Sequence, residues 1–520
     1  MNPQQNRPPS YSQTGKPNPT TSNLVKAPGD LSPAFEISPA SLTDFINQLS
    51  PAEVSQLVGR PVVERDGGYY APDEFIAISR DEWFGRLVPG NDYTLAGATS
   101  TYRMQILKNR PFTDGEGSRH FLLYKLFGSA ADFINLLNEM SVDVQTGSNT
   151  LGTLQIKTNS EGGGASGNAI GITRFLIQPG QLPAGLEAKL RLITPAFPQQ
   201  PEPAGGFTAN QAVTNQNLTP TDAAITVAVL DSGIYTAVGQ PSGCMGLFLT
   251  VWQWLMGLLG SGKTPASAGH DFLEDDDVPQ DEHTSLHGTR ISTIIRQRCP
   301  SAAILPVRIA NARGVCSLYD VLCGLEYVRI SNATIINASW VFLADNDKIN
   351  TTDVVGNRVV SRPYSLLQWM ISELNKANKW VVAAAGNRKI RQITPLLGSV
   401  GVPFTYPACY SNVVTALDSP KLITVSTIKS DQTVVGENRS EKIIDVGVVA
   451  DDDLKFRVPG FSTAHAGSSY ATPHITGLLA DYLRTHSRAQ TKAIVLQAIA
   501  PNTLPALSND SIKDKRYVTT

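Results

Sequence analysis

Beyond residue 221 the chain carries four short runs that are apolar almost throughout: ITVAVL at 225–230, AILPV at 303–307, TIIN at 334–337 and WVVAA at 380–384. A strand with one wet face would alternate polar and apolar residues. These runs do not alternate, and they are too short for ordinary helices, so they read as strands buried on both faces. Helical patterns lie between them at 288–298, 317–330 and 364–378. Strand and helix alternating at this rhythm predict an α/β domain: a doubly wound parallel sheet with helices on both faces.

The rest of the chain divides around that domain. Residues 1–30 are dominated by Pro, Asn, Gln, Ser and Thr and are expected to be a disordered tail. Residues 31–194 mix apolar and polar positions, with helical spacing at 41–57 and 130–140 and strand-like runs at 120–127 (HFLLYKLF) and 170–177. They predict a smaller α+β domain of unknown function. Residues 195–220, rich in Pro, Gly, Asn and Gln, read as a linker; 221–505 form the main domain and 506–520 a C-terminal tail.

A net charge of −2 gives no drive toward polyanions, so no nucleic-acid partner is expected. The N-terminal stretch lacks the apolar core of a secretory signal. Cys244, Cys299, Cys316, Cys323 and Cys409 are odd in number and not spaced for zinc, so they read as free thiols. Free thiols and the missing signal together place the protein in the cytoplasm.

Four short segments carry chemistry. VAVLDSG (227–233) is a buried strand ending in Asp231, HGT (287–289) opens a helix at His287, and GSSYATP (467–473) sets Ser469 at the entrance of an apolar helix. Pro473 is expected in the first turn of that helix, where a missing N–H costs nothing. The fourth segment, VVAAAGN (381–387), is a strand end followed by Asn387. A serine hydroxyl is a poor nucleophile until a neutral imidazole takes its proton. A buried carboxylate selects the imidazole tautomer and stabilises the imidazolium. A side-chain amide supplies a prepared donor for the oxyanion.

These segments, in the chain order Asp, His, Ser, resemble those of the subtilisin-like serine peptidases. GHDF (269–272), INAS (336–339) and YPACY (406–410) add lesser similarities, and the likeness spans about half the chain. The resemblance implies a serine endopeptidase acting on protein or peptide substrates without a cofactor. Ser469 would be the nucleophile, His287 the acid and base, Asp231 its orienter and Asn387 the oxyanion donor. Ser339, Trp340 and Val341, with Ala384, Ala385 and Gly386, would line the substrate. Three positions depart from the family pattern. Arg290 stands where a second histidine is common, and Val341 stands where the family has glycine, which would narrow the specificity pocket. The stretch after 298 runs almost directly into AAILPV and leaves no room for the family's calcium loop, so no metal is expected there. Family members often carry an inhibitory N-terminal segment, but residues 31–194 resemble none.

Other features give weaker readings. GLLGSGKT (257–264) fits the P-loop pattern, but Pro265 follows at once, so a flexible loop is expected over the alternative of a nucleotide-binding module. GGGASG (162–167) reads as a loop. The uncharged run Cys244 to Gly260 is expected to be a buried insert packing on the N-terminal domain or on a partner. Membrane contact is the less favoured reading, because a single crossing would put Asp231 and His287 on opposite sides. Asp275–Asp277 read as a solvated loop and His474 as helix packing. A catalytically silent scaffold on the same fold is the remaining alternative.

Overall fold

The computed structural model describes residues 35–37, 49–127, 142–154, 164–177, 183, 186, 211–235, 269–345, 354–359, 365–387, 403–412 and 420–520, apart from gaps of a few residues within these ranges. The expected tail at 1–30, the helix at 130–140, the P-loop pattern and the apolar run 244–260 lie outside the described residues.

Among the described residues, the N-terminal region is built on an antiparallel sheet, with a short helix beside it. Helix α1 (Pro51–Val58) starts at a capping box in which Ser50 and Glu53 satisfy each other's backbone N–H groups. It is the described part of the helix expected at 41–57. Strands β1 (Gly68–Ser79), β2 (Thr101–Asp114), β3 (Gly117–Phe127) and β4 (Gly164–Ile172) lie in the order β4-β1-β3-β2, continued by Asp92–Ala96, Val142–Thr146 and Asn149–Leu154. The glycine-rich stretch expected as a loop is, from Gly164 on, part of β4 and pairs with β1. Backbone pairing there outweighs glycine's low strand preference.

The second sheet has nine strands and follows the expected α/β plan. Strand β5 (Ile225–Asp231) lies between β6 (Ala302–Arg308) and β7 (Ile335–Ala338). Beyond β7 come β8 (Trp380–Ala384), β9 (Leu422–Ile428), β10 (Val446–Val449) and β11 (Arg516–Thr519), all parallel. Val227 and Val229 face a core with helices α2 (His287–Arg298) and α5 (Ser468–Thr485), through Ile291, Ile294, Ile475 and Leu479. Ala228 and Leu230 face the opposite core, with α3 (Leu318–Ile330) and α4 (Ser365–Lys376). Alternate residues of one strand thus enter two apolar cores, which is why the sequence shows no alternation. Helix α6 (Lys492–Ile499) packs on α5.

Two boundaries differ from expectation. The tail predicted at 506–520 contains β11, whose residues 517–519 pair with β10 and place Val518 in the core. Residues 211–220, expected as linker, are docked: Val213 and Leu218 are buried, Val213 N donates to Thr293 Oγ1 (2.9 Å) and Ile304 N to the Leu218 carbonyl (2.9 Å). In both places a few apolar residues inside a polar stretch found a core.

The two sheets share one core. Ile76, Ile78, Phe112, Phe121 and Leu123 of the first sheet cluster with Leu318, Leu322, Leu366 and Met370 of α3 and α4. The short strand Val315–Ser317, just before α3, hydrogen-bonds along β4 and extends the first sheet. Among the described residues no helix is long and apolar enough to cross a membrane.

Candidate active site

In an open parallel sheet, functional groups collect beyond the carboxyl ends of the strands, where the strand order reverses. Here the reversal falls at β5, which has β6 on one side and β7 on the other. Asp231 is the last residue of β5, Ser339 follows β7, and Asn387 follows β8 by three residues. Three adjacent strands therefore deliver three polar side chains to one edge.

His287 is the first residue of α2, preceded by Leu286 in the left-handed conformation (φ 51, ψ 52). Its Nδ1 lies 2.7 Å from Asp231 Oδ1, and both side chains are completely buried. A carboxylate only accepts, so Nδ1 carries the proton and, in the neutral ring, Nε2 keeps its lone pair. Asp231 Oδ1 also accepts from Ser232 N at 2.7 Å. Among the described residues, His287 Nε2 and Asp231 Oδ2 make no hydrogen bond.

Ser469 is the second residue of α5. Gly467, which caps the helix, has φ 134, a region that favours glycine. A Cβ there would stand 3.0 Å from Asn387 Nδ2 and 3.3 Å from Ser469 Oγ, so amide and hydroxyl flank the same small gap. Asn387 Oδ1 accepts from Ser468 N (2.7 Å) and Ser468 Oγ (2.6 Å). Holding the oxygen in this way turns the NH₂ toward Ser469. Tyr470 joins the two halves of the site, its ring edge-on to His287 at 5.4 Å. The His287–Asp231 pair and the Asn387–Ser469 pair thus flank Tyr470, and among the described residues His287 Nε2 makes no hydrogen bond to the Ser469 hydroxyl.

The structure corrects the expected place of Pro473. Because α5 begins at Ser468, Pro473 is its sixth residue rather than part of the first turn. Its missing N–H would have bonded the carbonyl of Ser469, four residues back. Ser339 Oγ donates to that carbonyl instead, at 2.9 Å, and itself accepts from Asn337 Nδ2 at 2.8 Å. The proline thus frees a backbone acceptor that ties the serine to the end of β7.

The remaining predicted residues lie at the carboxyl ends of β7 and β8. Trp340 and Val341 are buried, with the Trp340 ring edge-on to Phe342 at 5.7 Å. Ala384 and Ala385 are buried, and the Ala385 carbonyl accepts from Thr405 Oγ1 (2.7 Å) and Asn438 Nδ2 (2.8 Å). Gly386 N donates to Ser468 Oγ at 3.1 Å. Arg290 is a buried clamp: it donates to the carbonyls of Ser285 (2.7 Å) and Thr463 (3.2 Å) and lies over the Phe461 ring.

Sequence reasoning missed Asp281, a buried carboxylate beside the pair, whose only sequence signal is an acid six residues ahead of His287. His474 is packed in α5 as expected. Its Nδ1 accepts from Arg298 Nε at 2.9 Å, and burial with the nearby Arg298 charge lowers its pKa to about 3. Among the described residues no group of three or more His, Cys, Asp or Glu side chains is placed to hold a metal ion.

A parallel sheet with a buried carboxylate–imidazole pair, and a serine on a helix N-terminus at the same edge, defines an α/β protein of serine-hydrolase type. The subtilase (Peptidase S8) family profile matches residues 222–517, more than half of the sequence, and the chain belongs to this family of serine peptidases. Solved structures that match include a cold adapted subtilisin-like serine proteinase, at 16% identity over 62% of this chain and 93% of that one (TM-score 0.37). The A-subunit of the AB5 toxin from E. coli matches at 18% identity over 61% and 96% (TM-score 0.38). A chain from the subtilase cytotoxin SubAB assembly matches at 19% over 61% and 92% (TM-score 0.38). No curated protein matches.

Proposed function

We propose that the chain is a serine endopeptidase that cleaves protein or peptide substrates through an acyl-enzyme. The reading rests on one observation above the rest: the buried His287–Asp231 bond at the carboxyl end of β5, beside the crevice that holds Ser469 and Asn387. Asp231 orients His287 and favours its protonated form once charge develops. When substrate docks, a rotation of the Ser469 side chain brings Oγ to Nε2. Catalytic hydrogen bonds often tighten only at that stage. Oγ attacks the scissile carbonyl, its proton passes to Nε2, and Asn387 Nδ2 donates to the oxyanion. The positive end of α5 adds to that stabilisation. His287 then protonates the leaving amine, and water repeats the sequence to free the enzyme.

Residues 339–341 and 384–386 form the walls of the proposed substrate cleft, and the buried Val341 favours small residues at the cleavage position. A reducing compartment suits Cys299, Cys323 and Cys409, which are free and buried. The test is labelling with a fluorophosphonate probe: modification confined to Ser469 and lost in Ser469→Ala is expected. An unlabelled, folded chain would instead favour a silent scaffold, a reading supported by the absent hydrogen bond at His287 Nε2.

A further inference from the structure

The carboxylate of Asp281 lies between the two turns that carry Asp231 and His287, and no step assigned above uses it. Its Oδ1 accepts from Ser232 Oγ (2.9 Å) and His283 N (3.1 Å). Its Oδ2 accepts from Thr289 N (2.9 Å) and Thr289 Oγ1 (2.7 Å). Ser232 is the residue after Asp231, Thr289 lies two after His287, and the His283 ring stands 5.9 Å from that of His287. Ser232 Oγ also accepts from Gly288 N at 3.0 Å. At Gly288 a Cβ would come within 2.3 Å of the Gly233 carbonyl oxygen, so the two turns touch through their backbones.

Burying a carboxylate is costly unless donors surround it. Four donors do so here, drawn from both turns and from the segment leading into α2. A neutral side chain could not accept from all four at once. We propose that Asp281 is a positioning residue for the catalytic pair: its anionic carboxyl group locks the Asp231 turn to the start of α2, so that His287 keeps Nδ1–H on Asp231 and presents Nε2 to Ser469. The proposal rests on the triad reading given above.

The titratable groups around Asp281 are Asp231, on the facing turn, and His283 and His287, on its own side; Glu282 is drawn away to Arg308. Burial pushes the Asp281 carboxyl up to about 6, opposed by the hydrogen bonds from Thr289 and Ser232, with Asp231 pushing the same way as burial. The four-donor lock is therefore complete well above pH 6 and is lost as the carboxyl takes a proton on passing below it. Activity should then fall as pH drops through about 6 and Asp281 takes a proton.

The test uses the full chain and a fluorophosphonate probe, with the rate of Ser469 modification (kinact) and probe affinity (KI) measured from about pH 5 to pH 8. Asp281→Asn is expected to lower kinact about tenfold or more, as small misplacements of catalytic groups do, with KI unchanged. It should also remove the part of the acid limb that protonation of Asp281 produces. Thr289→Val, which removes one donor to Asp281, should give a smaller loss of kinact that Thr289→Ser restores. Folded Asp281→Asn with wild-type kinact and an unchanged acid limb would overturn the positioning role while leaving the triad intact. If Asp281→Asn does not fold, Thr289→Val labelled at the wild-type rate overturns it. A wild-type chain that the probe fails to label removes the triad reading, and the positioning role with it.

Discussion

The side chain of Asn387 illustrates how one residue does two jobs. Its oxygen is held by Ser468, and only because of that does its NH₂ face the hydroxyl of Ser469. Asn387→Ala should lower turnover roughly 10²–10³-fold, the range for removal of a single oxyanion donor in subtilisin. Peptide hydrolysis by the folded variant checks this; its melting temperature should fall somewhat, because Ser468 N loses its acceptor. His474 makes a different prediction. Its folded pKa of about 3 lies below the ordinary 6.5, so the native state binds fewer protons than the unfolded chain between those values. Stability from this group is complete above about pH 6.5 and is lost as pH falls toward 3, at up to about 1.4 kcal/mol per pH unit. His474→Gln should flatten the pH dependence of the urea midpoint between about pH 6.5 and pH 4; an equally steep curve would contradict the assignment.

At the scale of elements, α5 and the end of β7 are joined by a carbonyl that the helix itself cannot use. Ser339→Ala should leave the Ser469 carbonyl buried and unpaired and destabilise the fold by about 1–3 kcal/mol. Pro473→Ala returns an N–H to that carbonyl, so in its background Ser339→Ala should cost markedly less. A double-mutant cycle in urea reads the difference, and strict additivity would argue against the coupling. The same elements show what a linear reading catches. Asp231, His287 and Ser469 each sit in a motif whose local shape, strand end or helix start, can be read from seven or fewer residues. Asp281 could not be found that way, because its donors come from two turns that only the folded sheet brings together. The place of Pro473 was misjudged because the exact start of α5 is set by Gly467 and Asn387, not by helix preference.

At the scale of the molecule, the first sheet and the peptidase sheet are held by shared burial and by ions. Arg119 of β3 is almost wholly buried and pairs with Glu326 of α3 and Glu373 of α4, each at 3.1 Å. Arg329 of α3 pairs with both Glu326 and Asp114 of β2. Removing one partner leaves a buried charge poorly compensated. Arg119→Ala is therefore expected to destabilise the protein by about 3–5 kcal/mol. Both sheets should unfold in one transition, seen as coincident urea curves by tryptophan fluorescence and far-ultraviolet circular dichroism. Separate transitions would mean that the two sheets fold independently.

What the order of residues settled alone was local. Apolar runs without alternation require strands with two dry faces, and the four motifs fix which side chains stand at strand ends and helix starts. What needed the folded chain was everything that depends on distant neighbours: the sharing of one core by two sheets, the strand hidden in the C-terminal stretch, and the carboxylate of Asp281 between two turns. The reason is physical. Periodicity and caps act over a few residues of chain, whereas a buried charge finds its donors through space, at separations that no local pattern records.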